Sequence, residues 1–387
     1  MRLVDARETT VSIGSNMHNA AISFARMTVS VAALVTDEVR NGRRVIGYGF
    51  NSNGRYAQGG ILRERLIPRI LESPAESLLD SDSGVLDPLR IWDAAMRDEK
   101  PGGHGERAVA MAVVDMAAWD LAAKLAGLPL HVLLAERFPN AVRADSAMVY
   151  AAGGYYSDGG VEAVQRELLD YTDMGYRAVK IKVGGEPLDD DIRRIEAVRN
   201  VLPDDVTLAV DANARLDVDR ALDYAERLEP YGLAWFEEPC APLDYAGFTR
   251  LAASYEPPLA TGENLLSADD FRNLLRYGGL RSERDILQPD PGLCYGLTEF
   301  LRILDLLQEH GWSPQQVCLH GGHQLSLALT AAFGLGPCES YPGLFAPIGG
   351  FADGFPIEGG RIGLPDVPGI GLELKGSLVP VLKALAV

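Results

Sequence analysis

Between about residue 140 and residue 334 the chain repeats one pattern, a short apolar run followed by a helical stretch, at a step of roughly 30 residues. The runs are SAMVYAAGG, RAVKIKVGG, TLAVDAN, LAWFEEP, PLATGEN, DILQPD and QQVCLHGGH. Helical patterns follow them over 161–174, 188–201, 217–229, 243–254, 267–277, 296–309 and 324–334. Strand and helix in strict alternation predict parallel strands covered by helices. Seven such units predict an α/β fold of the triosephosphate isomerase kind, a modified (β/α)7β barrel. A doubly wound open sheet is the competing architecture. It usually opens with a Gly-rich phosphate turn, and no GxGxxG follows the first strand.

The rest of the chain lacks this rhythm. Residues 27–38 (MTVSVAALVTDE) and 44–52 (RVIGYGFNS) are rich in β-branched residues and predict strands of a small antiparallel sheet. GERAVAMAVVDMAAWDLAAKLAG (105–127) predicts a long helix that ends at Gly127 before a proline. The glycine-rich pieces FNSNGRYAQGG (50–60) and EKPGGHGER (99–107) predict loops. These features divide the 387 residues into an α+β capping domain over 1–135, a barrel over 136–350, and a turn-rich segment over 351–387 that returns to the cap.

Composition narrows what such a chain can bind. No run reaches the roughly 18 apolar residues of a membrane-spanning helix, and the N-terminal stretch lacks the pattern of a secretory signal. The four cysteines, Cys240, Cys294, Cys318 and Cys338, form no CxxC pair, so buried thiols in a reducing, cytoplasmic compartment are expected. A formal net charge of −18 argues against nucleic acid and anionic membrane as partners. An anionic small molecule would meet the same repulsion, so its site must supply local cations.

A barrel places its active site at the C-terminal ends of its strands. There the sequence puts Lys180 and Lys182, then Asp211, Glu237, Glu263, Asp290 and His320, and from Lys182 onward the steps are 29, 26, 26, 27 and 30 residues. Each step is one strand–helix unit, so every strand end delivers an ionisable side chain to one mouth. Three successive carboxylates, Asp211, Glu237 and Glu263, would repel one another without a cation, and hard oxygen donors suit Mg2+. Lys180 and Lys182 are two apart on one strand and share a face. One ammonium beside the other is expected to lower its neighbour's pKa and favour a neutral amine base. Asp290 is one unit before His320, an arrangement in which a carboxylate orients an imidazole for acid–base work. Asn213, two residues after Asp211, could donate to a substrate or ligand oxygen.

In this order and spacing, AVKIKVGG, DANARLD, WFEEP, TGEN, LQPD and LHGGH resemble the mandelate racemase subgroup of the enolase superfamily, whose sites use a Lys or His base with magnesium. The helix with VDMAAWDLAAKLAGLPLHVLL is similar to that family's bridging segment. Further motifs, FNSNGRYAQGG, EKPGGHGER, VYAAGGYY, GENLLSADDFRNLLRYGG, HGWSP, HGGHQLSL and ESYPGLF, resemble the D-tartrate dehydratase group along nearly the whole chain. The resemblance implies a Mg2+-dependent hydro-lyase that takes the proton alpha to a carboxylate, with Asp211, Glu237 and Glu263 holding the metal. It makes Lys182 the base, Lys180 its electrostatic partner, and His320 with Asp290 the general acid. Asn19, Asn53, Lys100, Tyr155, Tyr156, Asn213 and Glu339 would contact a small acid-sugar substrate, with Lys100 on its second carboxylate. A homo-oligomer is the family's habit.

Rival readings are a dehydratase of another sugar acid, a racemase or epimerase of an alpha-hydroxy acid, and a catalytically silent barrel that binds a metabolite. Cycloisomerases of the superfamily are expected to carry a lysine on the sixth strand, and residues 281–300 contain none.

Overall fold

The computed structural model describes residues 1–157 and 159–387. Its first sheet is antiparallel, in the order β1 (Leu3–Ser12), β2 (Thr28–Arg40), β3 (Arg43–Phe50). Asn41 and Gly42 join β2 to β3, with φ of 51° and 75°. Positive φ at both positions is what a two-residue hairpin turn requires, and Asn-Gly accepts it at little cost. β1 was not foreseen, because its sequence LVDARETTVS is polar and only half-buried.

One face of this sheet lies on the helix Glu106–Ala126, which is buried along nearly its whole circumference. Contact is close because β3 offers glycines. A Cβ on Gly47 would lie 2.1 Å from the Ala117 carbonyl oxygen, and one on Gly49 2.2 Å from that of Val113. The helix stops at Gly127, whose φ of 72° is the left-handed cap expected there. Toward the barrel, Asp115 accepts hydrogen bonds from the Thr298 N–H (2.9 Å) and hydroxyl (2.6 Å). The same helix is thus core to the cap and a partner to the barrel helix Leu297–Glu309.

The second sheet runs in parallel order through β4 (Ser146–Ala152), β5 (Ala178–Lys182), β6 (Thr207–Asp211), β7 (Phe236–Glu237), β8 (Leu259–Thr261) and β9 (Ile286–Leu287). Residues 317–319 continue it, since the Cys318 N–H donates to the Leu287 carbonyl at 2.9 Å. β10 (Cys338–Ser340) receives the ring, with the Glu339 N–H on Leu319 O at 3.1 Å, and pairs back to β4. Eight strands and seven intervening helices close the expected (β/α)7β barrel, covered by the expected cap. Predicted helices agree closely with the observed ones, for example Gly160–Asp173 and Tyr245–Ser254. Val179, Ile181 and Val183, the helix-facing side of the second strand, are fully buried.

The tail does not go straight to the cap. β11 (Ile357–Glu358) and β12 (Arg361–Gly363) form a hairpin whose second strand pairs antiparallel with β4. Only afterwards does the chain reach the first domain, where the Ile370 N–H meets Asp120 at 2.8 Å and the helix Val379–Ala386 packs on β1 and β2. All four cysteines are free and buried. Among the described residues no helix is long and apolar enough to cross a membrane.

Candidate active site

Register sets the geometry of the mouth. Lys182 is paired across the ladder with Asp211, and Asp211 with Glu237, so three successive strands end level. Glu263 follows β8 by two residues, and one oxygen from each of Asp211, Glu237 and Glu263 lies within 4.8 Å of the others. Asp211 is fixed by the Asn213 N–H at 2.8 Å and its side-chain amide at 3.1 Å. Glu237 accepts from the Trp235 indole at 2.8 Å and from Gln288 at 2.6 Å.

This crowding demands positive charge. Burial above all raises Glu237 to about 7, with Asp211, Glu339 and Glu263 adding to the rise against Lys180. Burial also opposes ionisation of Asp211, but Lys182 and then Lys180 outweigh it and hold that carboxyl down at about 2. Lys182 Nζ sits 2.5 Å from Asp211, and Lys180 Nζ 2.5 Å from Glu237 and 2.8 Å from Glu339. The carboxylates therefore draw both ammonium groups onto their own oxygens. All-oxygen donors, close spacing and excess negative charge fit a small hard dication, and the trio is suited to magnesium.

Lys182 departs from the sequence expectation in one respect. Burial disfavours its ammonium, but Asp211 and Tyr155 outweigh burial and raise its pKa, while the opposing effect of Lys180 is smaller. Proximity to Lys180 alone does not neutralise the amine.

Across the mouth, His320 Nδ1 is 2.7 Å from Asp290 Oδ2. The other Asp290 oxygen accepts from the Gly292 N–H at 2.7 Å, which keeps the carboxylate oriented toward the imidazole. His320 Nε2 faces the Tyr341 hydroxyl at 3.2 Å and Glu263 at 3.2 Å. Tyr341 in turn donates to Glu339 at 2.8 Å, and Glu339 also accepts from the Gly321 N–H at 3.1 Å. Burial works against the imidazolium, but Glu263, Glu339 and Asp290 together raise His320 to about 10. His323 backs this pair, its Nε2 lying 3.6 Å from Asp290 Oδ1. It caps the helix Gln324–Phe333 by accepting from the Ser326 N–H at 3.3 Å.

A cavity of about 470 Å3 opens over these groups, lined by Lys182, Asn213, Glu263 and His320 from the barrel and by Asn19, Asn53 and Arg55 from the cap. Tyr155 lines it as well, with Lys182 Nζ 5.0 Å from its ring centroid. Glu339 lies fully buried beneath, between Lys180 and Tyr341. Two expected substrate contacts are elsewhere. Lys100 lines a separate depression with Trp92, His104 and Tyr295, where its glycine-rich loop meets the starts of two barrel helices at Ser267 and Glu299. Tyr156 points away from the cavity, its hydroxyl donating to the buried Asp191 at 2.9 Å and its ring stacked on His18. The structure adds residues the sequence reading passed over. Tyr341 and Gln288 stand inside quoted motifs, ESYPGLF and LQPD, but carry no phase of their own, and Arg55 is hidden in a loop noted only for its glycines and Asn53.

Comparison with known proteins fits this geometry. The enolase C-terminal domain-like family matches residues 163–378, and the mandelate racemase / muconate lactonizing enzyme N-terminal domain matches residues 7–135. L-talarate/galactarate dehydratase of Salmonella typhimurium is 30% identical over 346 residues, covering 89% of this chain and 81% of that protein. Arabinonate dehydratase of Saccharolobus solfataricus is 28% identical over 371 residues, 94% of each chain. The crystal structure of a racemase from Streptomyces coelicolor A3(2) with bound magnesium aligns over 100% of both chains, with a TM-score of 0.80 and 26% identity.

Proposed function

The chain belongs to the mandelate racemase / muconate lactonizing enzyme family of the enolase superfamily, and from that premise we propose that it dehydrates an acid sugar, with D-tartrate, giving oxaloacetate and water, as the first candidate substrate. One observation carries the reading. Lys182 and His320 reach the same cavity from well-separated strands, with the Asp211–Glu237–Glu263 trio on the strands between. The two relatives named above are both dehydratases of acid sugars, which supports elimination. The loop motifs that resemble the tartrate dehydratase group support tartrate among the possible substrates.

Asp211, Glu237 and Glu263 would hold magnesium, which when bound supplies positive charge to the substrate carboxylate and to the enediolate derived from it. Lys182 must first give up its ammonium proton to solvent; as the neutral amine it takes the alpha proton, and the C–H electron pair moves into the carboxylate. Lys180, held between Glu237 and Glu339, adds positive charge on the same side. His320 is held at Nδ1 by Asp290, so Nε2, which faces Tyr341 and Glu263, is the nitrogen left to hand a proton to the departing hydroxide. Water leaves, and the resulting enol tautomerises to the keto acid. Lysine has then gained one proton and histidine lost one, and exchange with solvent restores both.

The test is incubation of the purified protein and Mg2+ with the tartrates, galactarate, galactonate and arabinonate, measuring keto acid. Keto acid from D-tartrate supports the full reading. Keto acid only from another acid sugar keeps the reaction and replaces the substrate. Inversion of an alpha-hydroxy acid without keto acid would favour a racemase, the activity of the S. coelicolor protein to which this fold is similar.

A further inference from the structure

Resting on the dehydratase reading, we propose that Arg55 is a specificity residue whose guanidinium binds the carboxylate at the far end of the substrate, so that the enzyme selects acid sugars with two carboxylates over those with one. A chain with a net charge of −18 needs local cations to hold a dianion. Of the cations lining the cavity, Lys182 and His320 are committed to the reacting carbon, and the remaining one is Arg55. Lys100, on which a second carboxylate was expected, lines a different depression.

Arg55 is placed rather than adrift. Its backbone carbonyl accepts from the buried Asn51 side chain at 3.3 Å, and Asn51 in turn accepts from the Ser30 N–H of β2 at 2.7 Å. Ser52 anchors the same loop to the barrel through the Gly292 carbonyl at 3.2 Å. Gly54, with φ of 85°, makes the turn that brings both Asn53 and Arg55 to the cavity. The side chain donates from Nη2 to the Asn264 amide oxygen at 2.7 Å. Among the described residues no carboxylate lies within ion-pair distance of it, and none accepts from its Nε or Nη1. The contrast with Glu99 is instructive. There Arg65, Arg69 and Arg107 converge on one carboxylate and are spent on structure. Arg55 retains the planar donor edge that matches a carboxylate two oxygens at a time.

A purely structural role is the competing account, since the Arg55–Asn264 bond ties the cap to the residue after Glu263. The two differ in what they do to substrates of different charge. Binding at a remote carboxylate acts only on substrates that have one, whereas displacement of Asn264 would disturb every substrate alike.

The experiment compares wild type, Arg55→Met and Arg55→Lys on paired substrates, tartrate against threonate and galactarate against galactonate. Wild type should favour the diacids. Arg55→Met should lower kcat/KM on diacids by about 10- to 100-fold, mostly through KM, as expected for loss of a charge-assisted hydrogen-bond pair. The monoacids should stay within about twofold, and Arg55→Lys should restore part of the preference. Equal losses on both classes, or a wild type indifferent to the second carboxylate, would overturn the proposal. Should wild type convert no acid sugar, the dehydratase reading fails, and calorimetry with the inert pair succinate and butyrate on the magnesium-loaded protein still decides Arg55. Succinate should bind about tenfold or more weakly to Arg55→Met with butyrate unchanged, and an unchanged succinate affinity would refute the role.

Discussion

Lys182, Asp211 and Glu237 stand level at the barrel mouth because neighbouring strands are hydrogen-bonded in register, whereas Asn19, Asn53 and Arg55 reach the same cavity on loops of the cap. A ladder leaves a side chain little freedom, and buried partners such as Trp235 and Gln288 remove most of what is left. Loops held by a few hydrogen bonds can change length and sequence without disturbing the barrel. The comparison teaches a division of labour. Under the proposed function, groups that meet the reacting atom are on rigid strand ends, and the groups proposed to choose among substrates are on replaceable loops.

The sharpest break of this comparison is removal of the metal. Exhaustive chelation should take turnover to background and lower the Tm, since a dication that binds the folded trio stabilises it, and added Mg2+ should restore both. Full activity after chelation would mean that the trio holds no essential cation. Next in size, exchanging residues 16–24 and 50–60 for those of another family member should change the substrate profile while exchange of the alpha proton persists. An unchanged profile would remove Asn19, Asn53 and Arg55 from substrate selection.

Smaller effects separate the two regions by stability. Gly47→Ala forces a Cβ against the Ala117 carbonyl and should cost about 1–3 kcal/mol, typical of overpacking. Hydrogen exchange should rise in β1–β3 before it rises in the barrel, and uniform loss of protection would show that the two regions unfold as one. A pH-dependent effect concerns Asp115, which burial raises to about 7 against the pull of the Thr298 hydroxyl and N–H. An unfolded aspartate loses its proton near pH ~4, so the folded state holds one more proton between about pH 4 and 7. The contribution of this group to stability therefore falls as pH rises through that window. Asp115→Asn should flatten the Tm–pH profile there relative to wild type, and identical slopes would contradict a raised Asp115.

Legibility follows the same division. The barrel was readable because its chemistry is phased with its repeat: one ionisable residue per strand end, from Lys182 to His320, cannot be separated from the strand–helix rhythm that carries it. Short elements outside that rhythm were not. β10 has three residues and no alternation, and β1 is too polar to announce a sheet. Lys100 and Tyr156 were assigned by resemblance of motifs, and motif likeness does not fix where a loop folds or which way a ring turns. Arg55 carried no signal at all, because its proposed role arises from a cavity formed by segments more than a hundred residues apart.

In the proposed reaction Lys182 and His320 perform different halves from different sides of the substrate. Deuterium exchange at the alpha carbon, followed by NMR in D2O with Mg2+, tests it most directly. His320→Asn should abolish dehydration, or slow it by about 10²–10⁴ as loss of a general acid does, yet still exchange the alpha proton, since Lys182 and the trio remain. Lys182→Ala should lose both. If instead folded, metal-loaded Lys182→Ala exchanges the proton and His320→Asn does not, the base is His320 with Asp290, and the assignment made here is reversed.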